Sequence, residues 1–575
     1  MSDPLATITA LLDPVFAELN GGEPADPTVR PSDHADLQVN GALPLAKRVG
    51  ANPHDLAQRV VDSGVLAGVA SDVEVAGPGF LNVTLSAEFL GSQLAAVAAD
   101  DRLGVPAVDA KTVVVDYSSP NVAKEMHVGH LRTTVIGDAL VRMLGFLGHR
   151  VIRENHIGDW GTPFGMLIEH LLDEGMTDTA SASAIGDLDE FYKAARRQFD
   201  GSEEFQERSR QRVVRLQAGD EETMRLWRVL VEVSEQHFNA VYRRLGVLLT
   251  NDDVVGESFY QPLMPEVMSR LAESGLLTES DGADVVFPPG FTNRDGDPLP
   301  LILQKKTGGF NYATSDLACV LDRVERLGAD LILYVVDAGQ SLHFEMVFTV
   351  AEMAGWLAPP AEAHHVQFGV VLGTDRKRLR SRSGEPLKFS ELLDEADERA
   401  RLAVDAKNPD LPDELRADVA RMVGIGAVKY AELSSDRVKD YIFDWDRMLS
   451  FDGNTAPYLQ YAHARICSIF RRSGVERPTV RAAAVTVDEP QERDLALRLL
   501  GYPTALGNAV DTYSPHKLCT YLYDLAVDFT AFYEHCPVLK AAEPLRTSRL
   551  ALADLTARVL QHGLGLLGID VPDQM

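Results

Sequence analysis

Cysteine is scarce in this chain, and its few copies lie far apart. Cys319, Cys467, Cys519 and Cys536 form no CxxC pair. Their spacing argues against a disulfide framework and against a zinc site, and it fits a reducing compartment. We therefore expect a cytoplasmic protein without a metal site.

Long apolar runs and a basic leader are missing as well. The first residues, MSDPLATITALLDPVF, carry acids where a signal peptide would carry basic residues. No apolar run approaches the roughly 18 residues that a membrane-spanning helix needs. This pattern predicts neither secretion nor a membrane partner.

Positive charge is in deficit, since 55 Lys and Arg face 85 Asp and Glu, which gives a net charge of -30. This balance weighs against a nucleic-acid partner, because phosphate binding depends largely on Lys and Arg. An acidic, solvated surface is the simpler explanation of the total. Local distribution matters more, however, and residues 376–388 contain six basic residues and a single acid, Glu385.

Several short apolar runs are each followed by a polar loop and a segment of helical period. The runs are Thr112–Val115, Val151–Ile152, Leu331–Val336 and Val366–Leu372. Strands that alternate with helices predict a parallel sheet, with an α/β core of the Rossmann-like type. The loops after these strands should converge on one cleft at the carboxyl ends of the strands.

The length of 575 residues is too great for one domain. We expect a small α+β domain over residues 1–105 and the α/β core over 106–375, with an insertion at about 165–300. The basic loop and a helical stem should occupy 376–450. The pattern of 451–575 is helical, which predicts an all-α domain.

The loop Asp116–Arg132 leads into a helical pattern and carries two histidines. His127 and His130 share one face at the predicted helix start, and Gly129 lets a ligand approach the backbone. The free N–H groups there, together with Lys124, favour a phosphate chain. A zinc site is the competing interpretation, although the pattern offers no third ligand.

Two further elements have both a functional and a plain explanation. The basic loop Gly373–Gly384 suits a flap that closes over pyrophosphate, or it is a solvated loop. Asp116 and Asp316, with Tyr312 one helical turn before the latter, match a guanidinium substrate, or they are ordinary capping and surface acids.

Tyrosines are frequent in the C-terminal helical region. They are Tyr458, Tyr461, Tyr521, Tyr523 and Tyr533. Such rings can stack on the bases of single-stranded RNA. They can equally be the amphipathic core edges of a helical bundle.

Several long motifs, in the right order, resemble those of the arginyl-tRNA synthetases, class I enzymes, in their bacterial form. HVGH at 127–130 is similar to the HIGH motif of that class. SSPNVAK at 118–124, RENHIGDWG at 153–161, GFNYATSDLA at 309–318 and YLQYAHAR at 458–465 are similar to the arginine-specific motifs.

The resemblance implies a set of site residues. Arginine would be held by Asp116, Asn121, Tyr312, Asp316 and Gln340. ATP would be held by Lys124, His127, Gly129, His130, Lys377 and Arg380, of which Lys124, His127, His130 and Lys377 would be catalytic.

The resemblance also implies the partners, which are L-arginine, ATP with Mg²⁺ and tRNA(Arg), with no tightly bound cofactor. The first domain would touch the tRNA elbow. The C-terminal domain would bind the anticodon loop, where we expect Tyr458, Tyr461 and Arg465 to contact tRNA. We expect a monomer.

The implied reaction forms arginyl-adenylate from arginine and ATP, in the presence of tRNA, and then transfers the arginyl group to the tRNA. No editing site is expected, because buried polar groups can select arginine by pairing with its charged guanidinium group. A paralogue that supplies arginyl-tRNA to another pathway has the same pattern. A non-catalytic relative is disfavoured by the intact HVGH motif and the full set of arginine-binding positions.

The class motif KMSKS departs from its usual form here, since Lys377 to Ser381 read KRLRS and Arg380 replaces the second lysine. Related arginine enzymes are thought to compensate with a lysine before the HIGH motif, and Lys124 is so placed.

We therefore predict that Lys124→Ala abolishes amino-acid activation, because the phosphates lose a point charge, while the fold is retained. ATP–pyrophosphate exchange and circular dichroism measure the two effects. Unchanged exchange would reject the compensating lysine.

Overall fold

The computed structural model describes residues 3–32, 34–178, 186–380, 387–409 and 411–575. The chain folds into two compact units, each assembled from separate stretches. The first comprises Met1–Ala107, Arg401–Tyr430 and Met448–Met575, and the second comprises Val108–Ala400 and Ala431–Arg447. Ser381 to Gly384 of the expected flap lie outside the described residues.

The N-terminal part of the first unit is α+β, as predicted. Its elements are α1 (Pro4–Leu19), β1 (Val29–Pro31), β2 (Leu37–Val39), α2 (Ala42–Val49), α3 (Pro53–Asp62), β3 (Ala70–Ala76), β4 (Phe80–Leu85) and α4 (Ala87–Ala99). The strands pair in the order β1-β2-β4-β3, all antiparallel. Leu81, Val83 and Leu85 alternate along β4 and are fully buried, so one face of this sheet packs on the core.

The second unit begins with the strand, loop and helix that the sequence analysis singled out. Its elements up to the insertion are β5 (Thr112–Asp116), α5 (Gly129–Leu147), β6 (Arg150–Glu154) and α6 (Pro163–Asp173). Gly148, with a φ of 115°, ends α5 as a C-terminal cap. The positions of this strand and helix confirm the prediction.

Helices and a small sheet follow α6. They are α7 (Leu188–Gly201), α8 (Glu203–Gln217), α9 (Glu221–Leu245), α10 (Glu257–Tyr260), α11 (Met264–Glu273), β7 (Thr278–Ser280), β8 (Ala283–Val286) and β9 (Leu301–Gln304). The three strands pair antiparallel in the order β7-β8-β9.

The α/β pattern then resumes and leads into the next elements of the chain, of which residues 401–430 and Met448 belong to the first unit and the rest to the second. They are α12 (Tyr312–Glu325), β10 (Leu331–Tyr334), α13 (Ser341–Met353), β11 (Glu362–His365), β12 (Val371–Leu372), α14 (Phe389–Lys407), α15 (Asp413–Leu433), β13 (Tyr441–Ile442) and α16 (Trp445–Met448).

The central sheet of this unit has four parallel strands in the order β11-β10-β5-β6. Val113, Val114 and Val115 of β5 are completely buried, as expected for an inner strand covered on both faces. Asp116 lies at the end of β5 and pairs with Tyr334 on one side and Glu154 on the other. The predicted parallel sheet is confirmed, and its carboxyl edge carries polar side chains.

The expected strand Val366–Leu372 is wrong. The edge strand is β11, several residues earlier, and its sequence EAHH has no apolar run that would mark a strand. Val371 and Leu372 pair instead with β13 in a separate two-stranded sheet. The basic loop therefore does not follow a strand of the central sheet.

The rest of the first unit is helical, as predicted. Its helices are α17 (Ala456–Ser473), α18 (Pro490–Leu500), α19 (Tyr502–Asp511), α20 (Pro515–His535) and α21 (Leu545–Leu566). No helix among the described residues has the length and apolar character that crossing a membrane requires.

Helix α5 packs closely on the loop Asp116–Arg132, called the signature loop below, and this contact gives a stability prediction. A Cβ added at Gly137 would lie 2.3 Å from Cγ of Tyr117, whose side chain is fully buried. We expect Gly137→Ala to lower the free energy of unfolding by about 1–3 kcal/mol, because the core is overpacked.

Gly145, in the same helix, provides the control. Nothing lies within 4 Å of a Cβ added there, so Gly145→Ala should stabilise the helix by about 0.5–1 kcal/mol. Thermal unfolding of both variants makes the comparison, and equal midpoints would contradict the predicted clash.

Candidate active site at the carboxyl edge of the parallel sheet

The loop between β5 and α5 has an unusual backbone. Ser118, Ser119 and Ala123 have positive φ angles of 75°, 50° and 60°. Residues with a Cβ rarely adopt this left-handed conformation, so surrounding contacts must hold it. None of the three is a glycine, and the sequence therefore carries no local signal of this shape.

Side chains from other elements fix the first part of the loop. The backbone N–H of Ser118 donates to Oγ1 of Thr133 in α5 at 3.0 Å, and that of Ser119 donates to Oδ1 of Asn155 at 3.0 Å. Oγ of Ser118 lies 2.7 Å from the hydroxyl of Tyr242, which also accepts from Nδ2 of Asn155 at 3.1 Å. Burial raises the pKa of Tyr242, so its hydroxyl stays protonated and can donate to Ser118.

Helix α9 supplies a second support. The backbone N–H of Ala123 donates to Oγ of Ser234 at 2.9 Å, and both residues are buried. Ser234 and Tyr242 stand more than 100 residues after the loop in sequence. Only the folded chain shows that α9 holds the signature loop.

The two histidines of the loop lie together, with ring centroids 4.2 Å apart. The backbone N–H of Gly129 donates to Nδ1 of His127 at 3.0 Å, and the N–H of His127 donates to Nδ1 of His130 at 3.1 Å. A ring nitrogen that accepts a hydrogen bond carries no proton. Each neutral ring therefore carries its hydrogen on Nε2.

Electrostatics keeps these rings neutral. Burial lowers the pKa of His127, with a smaller contribution from Lys124, while Asp189 opposes the shift. Burial and the neighbouring His127 lower the pKa of His130 to about 3. At neutral pH, His130 therefore presents an Nε2–H donor without a charge.

Lys124 is exposed, and its Nζ lies 4.6 Å from the centroid of the Tyr192 ring in α7. This cation–π contact restrains the ammonium group beside the histidine loop. The start of α7 also carries Asp187, whose Oδ2 accepts from Nζ of Lys388 at 2.5 Å.

The chain that follows the basic loop pairs with the histidine loop. The N–H of Val128 donates to the carbonyl oxygen of Leu387 at 2.9 Å, and the N–H of Phe389 donates to that of Met126 at 2.9 Å. Residues 387–389, which follow the basic loop, therefore lie against the loop Asp116–Arg132.

The other end of the basic loop is a tight hairpin. The N–H of Gly373 donates to the carbonyl oxygen of Lys377 at 2.7 Å, and that of Leu379 donates to Val371 at 3.3 Å. Lys377 and Arg380 are exposed and line a cavity of about 740 Å³. His127 and His130 do not line this cavity, so the structure does not bring Lys377 onto the histidine pair.

Asp116 is engaged by a buried cation of the protein itself. Nη2 of Arg323 donates to its Oδ2 at 2.7 Å, and Nε of Arg323 donates to Oε2 of Glu154 at 2.6 Å. The guanidinium is completely buried and lies 4.7 Å from the ring centroid of Tyr334. Burial alone would lower the pKa of Arg323, but Glu154, Tyr334 and Asp116 outweigh it, so the arginine stays charged.

Asp316 is the more accessible of the two predicted acids. It lies in the first turns of α12, and its Oδ2 is 2.5 Å from Nε2 of His343 at the start of α13. Tyr312, one turn earlier, is 71% exposed, and Gln340, just before α13, is also exposed. The starts of two neighbouring helices thus carry Tyr312, Asp316 and Gln340.

Asn121 is exposed and bridges to Gly158 in the next polar loop. A Cβ at Gly158 would lie 2.3 Å from Oδ1 of Asn121. The glycine is therefore required for this close approach, and it defines where the Asn121 amide sits.

Glu257, in α10, is not among the site residues expected from the sequence. Burial, together with Asp159 and Asp316, raises the pKa of its carboxyl group to about 7, although His156 opposes the shift. An isolated acid a hundred residues from the signature loop gave no sign of this position. Arg323 has a sequence signal, since it is a charged residue among the buried residues of α12.

The C-terminal tyrosines have mixed environments in the first unit. Tyr521 is buried and donates to the carbonyl oxygen of Arg498 at 2.8 Å, which matches the core interpretation. Tyr461 is 38% exposed, and the guanidinium carbon of Arg465 lies 5.6 Å from its ring centroid. Tyr458 is half-buried and packs 5.7 Å from the ring of Tyr523.

Among the described residues, His463, Cys467 and Asp573 are the one group of three side chains close enough to share a metal ion. Sγ of Cys467 lies 3.9 Å from both ring nitrogens of His463, so it does not face the lone pair of either. Nδ1 of His463 is also 3.1 Å from the carbonyl oxygen of Pro572. The group ties the C-terminal segment to α17.

The chain matches three family models. The model described as "tRNA synthetases class I (R), catalytic domain" matches residues 93–445. "Arginyl tRNA synthetase N terminal domain" matches 6–85, and "DALR anticodon binding domain" matches 459–575. The parallel sheet with its histidine loop is therefore that of a class I aminoacyl-tRNA synthetase.

Whole-chain relatives make the family more specific. The arginine--tRNA ligase of Thermobifida fusca (strain YX) is 53% identical, and the match covers 100% of this chain and 100% of the relative. That of Escherichia coli (strain K12 / DH10B) is 48% identical, over 97% of this chain and 98% of the relative.

Solved structures agree with these relatives. The arginyl-tRNA synthetase of Plasmodium falciparum matches with a TM-score of 0.84 and 29% identity over 99% of both chains. The Thermus thermophilus arginyl-tRNA synthetase matches with a TM-score of 0.81 and 27% identity over all of both chains. The chain belongs to the arginyl-tRNA synthetase family, which confirms the resemblance.

We predict that His130 remains unprotonated across the range in which an ordinary histidine titrates. Its pKa is lowered in the folded state, so the folded state binds fewer protons than the unfolded state. The stabilising contribution of the neutral ring should be complete above about pH 6.5 and be lost as the pH falls towards 3.

Long-range ¹H–¹⁵N NMR of the imidazole groups measures this, with His130→Asn to assign the signal. The spectrum should show the Nε2–H tautomer with no titration step between about pH 8 and 5. A midpoint near 6.5 would contradict the buried environment.

Proposed function

We propose that this chain is an arginine–tRNA ligase that joins L-arginine to tRNA(Arg) in two steps. The arginine carboxylate attacks the α-phosphorus of ATP, which gives arginyl-adenylate and pyrophosphate. A ribose hydroxyl of the terminal adenosine of the tRNA then takes the arginyl group and releases AMP. Because both nucleophiles belong to the substrates, the protein contributes positioning and charge stabilisation.

The observation that carries this proposal is the pair of neutral histidines beside the helix start. The Nε2–H groups of His127 and His130 are fixed donors that can meet the charge developing on phosphate oxygens. Gly129 leaves the backbone open for ATP, and Lys124 supplies a point charge. The loss of one such donor should cost on the order of 3 kcal/mol of transition-state stabilisation.

In this proposal the basic loop closes over the ATP site. Lys377 and Arg380 are exposed, and residues 387–389 pair with the histidine loop. A hinge at this pairing lets the cations reach pyrophosphate when ATP is bound. In this proposal Lys124, restrained by Tyr192, takes the role of the second lysine, which is missing from the class motif in this chain.

Two helix starts and the signature loop form the arginine pocket. Its proposed ligands are Asp116, Asn121, Tyr312, Asp316 and Gln340, and we add Glu257 because the charge of Asp316 contributes to the raised pKa of its carboxyl group. Arg323 already neutralises part of the charge of Asp116, whereas Asp316 reaches the surface. We therefore assign the guanidinium chiefly to Asp316 and Glu257, and the α-amino group to Asp116 with Asn121.

The N-terminal and C-terminal domains bind tRNA in this proposal. We propose that residues 1–105 contact its elbow and that 451–575 bind the anticodon loop, with Tyr458, Tyr461 and Arg465 as contacts. Residues 106–375 form the catalytic domain with an insertion at about 165–300, and 376–450 form the basic loop and stem. The exposed pairing of Tyr461 with Arg465 suits a stacked base.

Mg²⁺ enters with ATP as part of the substrate, and no tightly bound cofactor is required. We propose a monomer in the cytoplasm.

Arginine-dependent ATP–pyrophosphate exchange in the presence of tRNA(Arg) tests the activity. We expect exchange with arginine and none with lysine or citrulline, because a carboxylate pocket selects the charged fork. An absence of exchange with every amino acid would refute the ligase.

The two acids of the pocket make a paired prediction. Asp116→Asn and Asp316→Ala should each raise the KM for arginine far more than the KM for ATP. Asp116→Asn should also lower the thermal unfolding midpoint, because it leaves the buried Arg323 with one carboxylate. Asp316→Ala, at a partly exposed position, should lower that midpoint less than Asp116→Asn does. Equal effects on both KM values would remove either residue from the pocket.

A further inference from the structure

The contact between Asp316 and His343 is not explained by any role proposed so far. Nε2 of His343 lies 2.5 Å from Oδ2 of Asp316, and the two side chains are 28% and 20% exposed. His343 stands in the first turn of α13, only three residues after Gln340. It therefore belongs to the wall of the arginine pocket without being one of its proposed ligands.

Local structure fixes the position of this imidazole. Oγ of Ser341 lies 2.9 Å from both the carbonyl oxygen of Ala338 and Oε1 of Gln367 and can donate its hydrogen to either, which anchors the start of α13. The ring of His343 also stands edge-on to Phe344, with centroids 5.5 Å apart.

Phe344 is part of a packed aromatic group. Its ring lies 5.0 Å from Tyr334 and 5.0 Å from His365, and it is buried. The support behind His343 is thus rigid, and the histidine can act as a fixed reference for Asp316.

A guanidinium needs a carboxylate at a defined angle. Its five N–H donors form a planar fork, and bidentate pairing requires the carboxylate plane to match it. A free aspartate rotates about its side-chain bonds, and arresting that rotation on binding costs affinity. A donor that holds Oδ2 in advance leaves Oδ1 and the second lone pair of Oδ2 for the fork.

We propose that His343 is a positioning residue for arginine recognition, which sets the plane of the Asp316 carboxylate through its Nε2–H. The proposal rests on the proposed function, since it assumes that Asp316 binds the guanidinium. His343 has no contact with the phosphates in this scheme, so its effect is confined to the amino acid.

A pair of amide substitutions tests the donor. The amide nitrogen of glutamine can reach the position of Nε2, whereas that of asparagine is too short. We expect His343→Asn to raise the KM for arginine about tenfold, with kcat and the KM for ATP changed less than about twofold. His343→Gln should restore the KM for arginine to within about threefold of the wild-type value.

His364→Asn is the matched control. Its histidine is exposed on β11 and pairs with Glu362 through Nε2 at 3.4 Å, so the same chemical change is made outside the pocket. We expect it to keep the wild-type KM for arginine. Thermal unfolding midpoints of all variants report any general loss of structure.

The outcomes separate the two proposals. Wild-type protein without arginine-dependent exchange overturns the function itself. With an active wild type, a normal KM for arginine in His343→Asn overturns the role of His343. So do a loss of kcat alone, an equal rise in both KM values, or a glutamine variant as weak as the asparagine variant.

Discussion

A guanidinium without access to water lies under the carboxyl edge of the central sheet. Arg323 joins Asp116 at the end of β5 to Glu154 at the end of β6, and it faces the ring of Tyr334 at the end of β10. Three adjacent strands therefore end on one cation. Removing one partner of such a buried pair typically costs about 3–5 kcal/mol, because the remaining charge is left without compensation.

This ion group also sets where the signature loop begins. The chain leaves β5 directly after Asp116 and enters the left-handed residues Ser118 and Ser119. Their conformation is held by hydrogen bonds of Ser119 to Asn155 and of Ser118 to Tyr242. The strained loop ends at the histidine pair, where backbone N–H groups fix both ring tautomers. The buried ion group, the left-handed residues and the oriented histidine donors thus follow one another along a single stretch of the chain.

The overall charge of -30 argued against a nucleic-acid partner, and family membership shows how that inference failed. Binding depends on the field at the site, not on the sum over the chain. Lys124 illustrates such a local field, since it is exposed and its ammonium group lies 4.6 Å from the centroid of the Tyr192 ring.

The sequence by itself determined the order of the elements. Apolar β-branched runs fixed β5 and β10, the helical period and Gly148 fixed α5, and the spacing of His127 and His130 placed the rings on one face. The motifs were sufficient for the family. Local patterns decide such features because they depend on neighbours within one helical turn or strand.

Only the tertiary structure decided which groups are already occupied. It showed that Asp116 is paired with Arg323, that burial raises the pKa of Glu257, and that Nε2 of His343 contacts Asp316. It also moved the edge strand to β11, whose polar sequence hides it. These features arise from residues that are distant in sequence. A local sequence pattern therefore does not reveal such a contact, the burial of a carboxyl group, or a charge that is already paired.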